Sequence, residues 1–294
     1  MGRISSLGRI AFLMPFIMFH TSFSVSAASQ DCANRLSRDI PSRHSRALPG
    51  STVMGQVLNL RGPERDAIVV EQVLSGNVPR FLRDLTPVEF NATLESGQDV
   101  QVTICVTPDY LAVGNDRDFV RIPMGLPAAA QIADEFGFFL PTTKMVDAIY
   151  AQAVVRLSPR PMQAGNMMTS TTFLVQHNDT VAGQRAPSGF DPEALTAGQK
   201  KDLVLTARLF SHPGKVAIYG WHRTNGVPIQ PLSTVHVARY ADYSHGVRLV
   251  SETAYVNGRA QPLAAIMQDP QLAQMISAEG PISNPQGLMA SLYN

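Results

Sequence analysis

Two cysteines, one tryptophan and four lysines are all that the 294-residue chain holds of those types, and each scarcity excludes something. Two cysteines rule out a disulfide-dense scaffold and any site built from four thiolates. Beyond the first 28 residues every apolar run is interrupted by charge, proline or glycine, so no later segment approaches the ~20 residues that a helical bilayer crossing needs. Charge of one sign is missing as well, with 24 basic against 23 acidic residues. Such a balance favours neither nucleic acid nor an anionic membrane surface. Glycine-rich phosphate loops, the Gly-x-Ser-x-Gly elbow, Ser-x-x-Lys, His-Glu-x-x-His and a calcium-loop ligand ladder are all absent. No repeat or low-complexity block interrupts the chain.

The N-terminus reads as an export signal. Arg3 and Arg9 precede the apolar run from Ile10 to Phe19, and Val25-Ser26-Ala27-Ala28 offers small residues for cleavage. Residues 1–28 carry two of the basic residues and none of the acidic ones, so the remainder stands at −1. An exported chain meets an oxidising compartment, where a lone pair of cysteines is expected to join, here Cys32 with Cys105. The anticipated location is periplasmic or secreted, with no membrane span in the mature chain.

Residues 29–50 are polar and end in Pro49-Gly50, an extended arm leading into one domain over 51–294. The prolines near 158–165 mark a sub-boundary within it. Periodicity predicts helices over 64–74, 126–136, 142–153 and 166–184, with a short helical pair after Leu263. Alternation predicts a hairpin of 88–94 with 100–106 around Ser96-Gly97-Gln98. Further strands are expected at 110–113, 119–122, 154–157, 202–209, 216–222, 228–232, 234–239 and 247–256. Asn225-Gly226 and Asn257-Gly258 are turn signals. Helices and strands fall in groups rather than strict alternation, so the expected fold is α+β, a mainly antiparallel sheet with flanking helices around a single core.

Chemistry concentrates between residues 198 and 248. Four of the seven histidines and three of the four lysines lie there, among Asp, Ser, Tyr and Arg. Histidine titrates nearest neutrality and suits proton transfer. Alternation in Ser233 to Arg239 places His236 on an open strand face, with Val235 and Val237 turned inward. His245 enters an apolar strand beside Gly246, with Asp242 or Ser244 available to orient it or to form a local turn. His236, His245, Asp242 and Ser244 are therefore the candidate catalytic set. Arg248, Lys201, Trp221 and His222 are candidates for holding substrate, the cations for an anionic group and the indole for a ring. The histidines lack metal-ligand spacing, and no metal or cofactor is expected.

Ser244-His245-Gly246-Val247-Arg248-Leu249 resembles the Ser-His-Gly-Cys-Val-Arg-Leu signature of the L,D-transpeptidases, which are exported, β-rich and act on peptidoglycan through the cysteine. Here Val247 follows Gly246 directly, so the nucleophile is missing and that mechanism does not carry over. The residues point to an exported hydrolase or lyase that acts on a cell-envelope or extracellular polymer, or on a small-molecule substrate there, through a histidine acid–base site. The alternative is a non-catalytic periplasmic binding or envelope-assembly protein using the same groove.

Protein recovered from a secreting host is expected to begin near residue 28 by N-terminal sequencing. An intact Met1 in the membrane pellet would contradict the export signal.

Overall fold

The computed structural model describes Met1, Gly2, Cys32 and residues 37–293; the export signal and the first part of the arm lie outside the described residues. Residues 37–49 run as turns and coil, held by side chains rather than by a sheet. Arg43 donates to Asn77 Oδ1 and to the Gly114, Ala47 and Leu48 carbonyls, and Arg83 donates to the Ile40 and Pro41 carbonyls. Gly50 already begins the first helix, α1 (Gly50–Gln56).

Helix α2 (Gly62–Leu74) follows, then a 3₁₀ turn at Arg80–Arg83. Strands β1 (Thr86–Thr93) and β2 (Asp99–Val106) form the expected hairpin, where alternation buries Val88, Val100, Val102 and Ile104. Gly97, at φ 83, makes the turn that a side chain would strain. A second hairpin pairs β3 (Ala112–Asn115) with β4 (Asp118–Arg121). Helix α3 (Leu126–Glu135) starts with Pro127 in its first turn. After β5 (Phe138–Phe139), α4 (Thr143–Gln152) is capped by Thr142, whose hydroxyl accepts from Met145 N–H at 3.2 Å. β6 (Val155–Arg156) then leads to α5 (Thr171–Arg185).

From here the expected and observed elements diverge in four places. Helix α5 begins at Thr171 rather than near 166, because Ser170 caps it by accepting from Phe173 N–H. After β7 (Thr196–Ala197), β8 runs only from Lys201 to Leu203. Leu205 N–H then pairs with the Pro141 carbonyl and the Thr206 hydroxyl with Glu279, so the chain turns into a short helix, α6 (Arg208–Ser211), instead of continuing as a strand. β9 (Ile218–His222) and β10 (Pro228–Ser233) are strands as expected, but residues 234–239 are not. The β10 register slips between Gln230 and Ser233, and only a single bridge, Lys215 to Val237, follows. Val235 and Val237 consequently face solvent, at 74% and 59% exposure, the reverse of the alternation reading. The two-residue strand β11 (His245–Gly246), β12 (Val250–Val256) and β13 (Arg259–Pro262) complete the strands. Helices α7 (Leu263–Gln268) and α8 (Ala273–Ile276) are the expected pair. The tail, however, holds a further helix, α9 (Pro285–Ser291), started by Asn284 accepting from Gly287 N–H at 3.0 Å.

The fold is α+β with mainly antiparallel sheets. The larger sheet orders β1-β2-β12-β13, with β5 also paired to β12. The second orders β10-β9-β8-β11 and is antiparallel except where β8 meets β11. One cluster of buried side chains extends from Cys32 and Ile40 to Met289. Residues 158–165 lie against Tyr243 through Met162. Among the described residues no helix is long and apolar enough to cross a membrane.

Cys32 and Cys105 are joined, with their Cα atoms 5.4 Å apart, so the arm is tied to β2 at the centre of the larger sheet. The bridge closes 73 residues of chain, which in the chain-entropy description stabilises the fold by about 4 kcal/mol. Replacing both cysteines by alanine is expected to lower the unfolding free energy by up to that amount in urea titrations. Mass spectrometry after alkylation with and without reductant checks the pairing, and two thiols labelled in native, unreduced protein would refute it.

Candidate active site

The site grows from one short parallel pairing. His245 lies opposite Lys201 and Gly246 opposite Asp202, as β11 adds to β8. Residue parity then sends Lys201 and Asp202 to opposite faces of the sheet. A Cβ on Gly246 would lie 2.6 Å from the Tyr110 ring and 2.8 Å from Lys200 Cβ. The glycine after His245 thus admits a tyrosine and a lysine of this chain, an approach that any side chain would block.

On the Lys201 face, the turn before β11 is locked by Asp242. One carboxylate oxygen accepts from the Ser244 N–H at 2.8 Å and from the Ser244 hydroxyl. The other accepts from the Tyr240 hydroxyl at 3.2 Å. Burial opposes the Asp242 charge, but His245, Ser244 and Lys201 outweigh it and hold the carboxyl below its ordinary range. Asp242 and Ser244 therefore bond to each other and to the backbone, not to the imidazole. His245 is wholly buried, and neither ring nitrogen has a hydrogen-bond partner among the described residues. Burial pushes its pKa down to about 4 against the pull of Asp242, leaving a neutral imidazole at pH 7. The Tyr240 ring packs edge-on to it at 5.7 Å, and exposed His236 stacks on Tyr240 at 4.2 Å.

Beside them Lys201 holds its ammonium 5.1 Å from the centre of the Trp221 ring. Trp221 has φ 56, a left-handed backbone conformation that a bulky side chain rarely adopts. Its indole N–H is buried without a partner among the described residues. Strain of this kind persists only where the surroundings enforce it; here Gly220, at φ 104, and the bond from Trp221 N–H to the Lys200 carbonyl enforce it.

Behind the sheet lies a second polar layer. Lys200, wholly buried, donates to the Tyr243 carbonyl at 2.6 Å and meets His177 Nδ1 at 2.9 Å. Burial lowers Lys200 to about 7, and burial together with Lys200 drives His177 far below the usual imidazole range. His177 accepts through Nδ1, which fixes it as the neutral Nε2–H tautomer. Asp109 and Arg121 form a buried ion pair at 2.6 Å, joined by Gln199 and Asn178. Tyr110 donates to Asp202 at 2.8 Å, and burial raises that carboxyl to about 6.

Of the eight candidate residues, the structure gathers His245, Asp242, Ser244 and Lys201 around β8 and β11. Trp221 lies beside Lys201, and His236 reaches the group only through Tyr240. His222 and Arg248 are not brought there. His222 pairs with Asp147 at 2.8 Å and stacks on Tyr150. Arg248, expected to grip a substrate anion, is fully buried and donates to the Thr107 and Thr196 carbonyls at 2.7 Å, its guanidinium over the Tyr110 ring. Sequence reasoning missed His177 and Tyr240 and passed over Lys200 and Asp202. Strand parity at Lys200-Lys201-Asp202 already required that one lysine turn inward, whereas nothing local marks His177. The chain matches no family model, and no curated protein or solved structure resembles it.

The neutral His245 makes stability depend on pH. An unfolded imidazole takes up its proton near pH 6.5, while the folded one resists until about 4, so the His245 contribution is full above 6.5 and is lost as pH falls through 4. Between pH 6.5 and 4 the wild type is expected to lose more stability than His245→Gln in denaturant titrations. Parallel curves would show that His245 is not held neutral.

Proposed function

We propose that the chain is an exported hydrolase or lyase acting on a cell-envelope or extracellular polymer, with His245 as its general base. The observation that carries this reading is the buried imidazole with both nitrogens free of hydrogen bonds, set across the strand pair from Lys201. A buried polar group without partners requires an explanation, and a reacting proton donor supplies one. A neutral imidazole accepts a proton from a water or sugar hydroxyl, and the Asp242 carboxylate, whose three accepted bonds come from Ser244 and Tyr240, acts on it through space rather than as a carrier of the proton.

In this reading Lys201 stabilises negative charge as it develops on the substrate, and Trp221 offers its indole N–H and ring edge to a sugar or peptide unit. Tyr240 packs on His245 and the exposed His236 stacks on Tyr240, so in this reading His236 acts through that stack rather than as an acid–base partner. Tyr240 is held protonated, since burial and Asp242 push its hydroxyl up to about 12. Full burial of His245 is the observation that favours the second reading, a binding or envelope-assembly protein that uses the same residues without turnover.

Purified mature protein is to be assayed against peptidoglycan, acidic polysaccharides and ester substrates. His245→Gln and Lys201→Met are each expected to lower turnover by ~10² or more, with the fold checked by circular dichroism. His44→Ala, in the exposed arm, should have no effect. The acidic limb of the pH–rate profile should fall near pH 4, below the interval of an ordinary histidine. Undiminished turnover in His245→Gln would overturn the assignment of the base. Saturable binding of one of these polymers without any turnover would establish the binding reading.

A further inference from the structure

The turn that carries His236 and Tyr240 also brings Val237 and Arg239 to a separate cavity of about 540 Å³, Arg239 standing between it and an adjoining cavity lined by Asp66 and Glu71. That size lies within the roughly 300–1,000 Å³ of small-molecule sites. Leu209, Phe210 and Val237 form apolar wall, and Phe210 and Val237 are half-exposed there, at 50% and 59%. His212, Lys215 and Arg239 are its basic lining, Tyr293 lines it as well with its hydroxyl given to Asp134, and among the described residues no carboxylate side chain faces it.

Two of the cations have capacity to spare. The Arg239 guanidinium makes no hydrogen bond or ion pair with any described residue. Lys215 donates one N–H to the Val235 carbonyl at 2.9 Å, which leaves two of its three donors. An apolar wall beside unpaired donors of one sign suits a ligand with a hydrocarbon body and a single anionic end. A guanidinium matches the two oxygens of a carboxylate with two parallel N–H donors, and each methylene laid on the wall leaves water favourably.

We propose that this cavity binds a carboxylate-headed acyl chain, its tail against Leu209, Phe210 and Val237 and its head on Arg239 and Lys215. The site is separate from the histidine chemistry and does not depend on it. Isothermal titration of the full mature chain with sodium decanoate below its micelle concentration is the test, with decyltrimethylammonium and decyl phosphate as the other arms. Decanoate should saturate at one per chain, and decyltrimethylammonium should bind at least tenfold more weakly. Arg239→Gln should weaken decanoate about tenfold without changing the melting temperature, and Val237→Asp should abolish binding. Absence of saturation, equal binding of the cationic amphiphile, or an unchanged affinity in Arg239→Gln would overturn the proposal. Decyl phosphate binding tenfold tighter than decanoate would refute the carboxylate head. A concentration-dependent dimer that Val237→Asp dissociates would instead assign the face to a second copy of the chain.

Discussion

The pairing of two residues with two others, His245 and Gly246 with Lys201 and Asp202, is the contact on which the rest of the site depends. It is the only parallel contact within the second sheet, and parallel pairing is the weaker kind per residue. Its support comes from the sides. The Lys201 N–H reaches the Ser244 carbonyl at 2.7 Å, the Asp242 turn fixes the approach, and the Tyr110 ring fills the space that Gly246 leaves. Separate these strands and His245 loses Lys201, Tyr110 loses its seat, and both polar layers come apart together.

The inner polar layer is a costly foundation. Lys200, Asp109, Arg121, Asp202 and Arg248 are all buried, and charges removed from water are stabilising only when their partners are well placed. Asp109 and Arg121 neutralise each other, while Lys200, Asp202 and Arg248 are held by backbone carbonyls and neutral side chains at hydrogen-bond distance. Deleting Asp109 or Arg121 would leave the other charge uncompensated in the interior, a loss of about 3–5 kcal/mol for a buried pair. The layer thus contributes fixed positions more than net stability, and those positions aim β8 and β11.

What could be read in advance follows from how local each signal is. The 86–106 hairpin was legible because alternation and Gly97 act within a few residues. So was the Asp242–Gly246 turn, where an Asp-x-Ser pattern makes its own hydrogen bonds. The strand expected at 234–239 failed because alternation of Val235 and Val237 does not reveal that the neighbouring strand has already lost register at Gln230. Arg248 misled because its guanidinium binds main-chain carbonyls of residues 107 and 196, distant in sequence and without a side-chain signature. His177 was invisible for the same reason: its partner Lys200 is supplied from a different element by the tertiary fold. Of the lysine pair, the sequence left open which member turns inward, since the bond network behind the sheet, and not the charge itself, decides that Lys200 is buried.

Trp221 has one more consequence. It is the single tryptophan of the chain and lies at 6% exposure under the Lys201 ammonium. All indole fluorescence of the protein therefore originates at this one spot. A cation over the ring and an unbonded N–H make that emission sensitive to whatever enters beside Lys201, so the molecule carries its own optical probe at the place where its chemistry is proposed to occur.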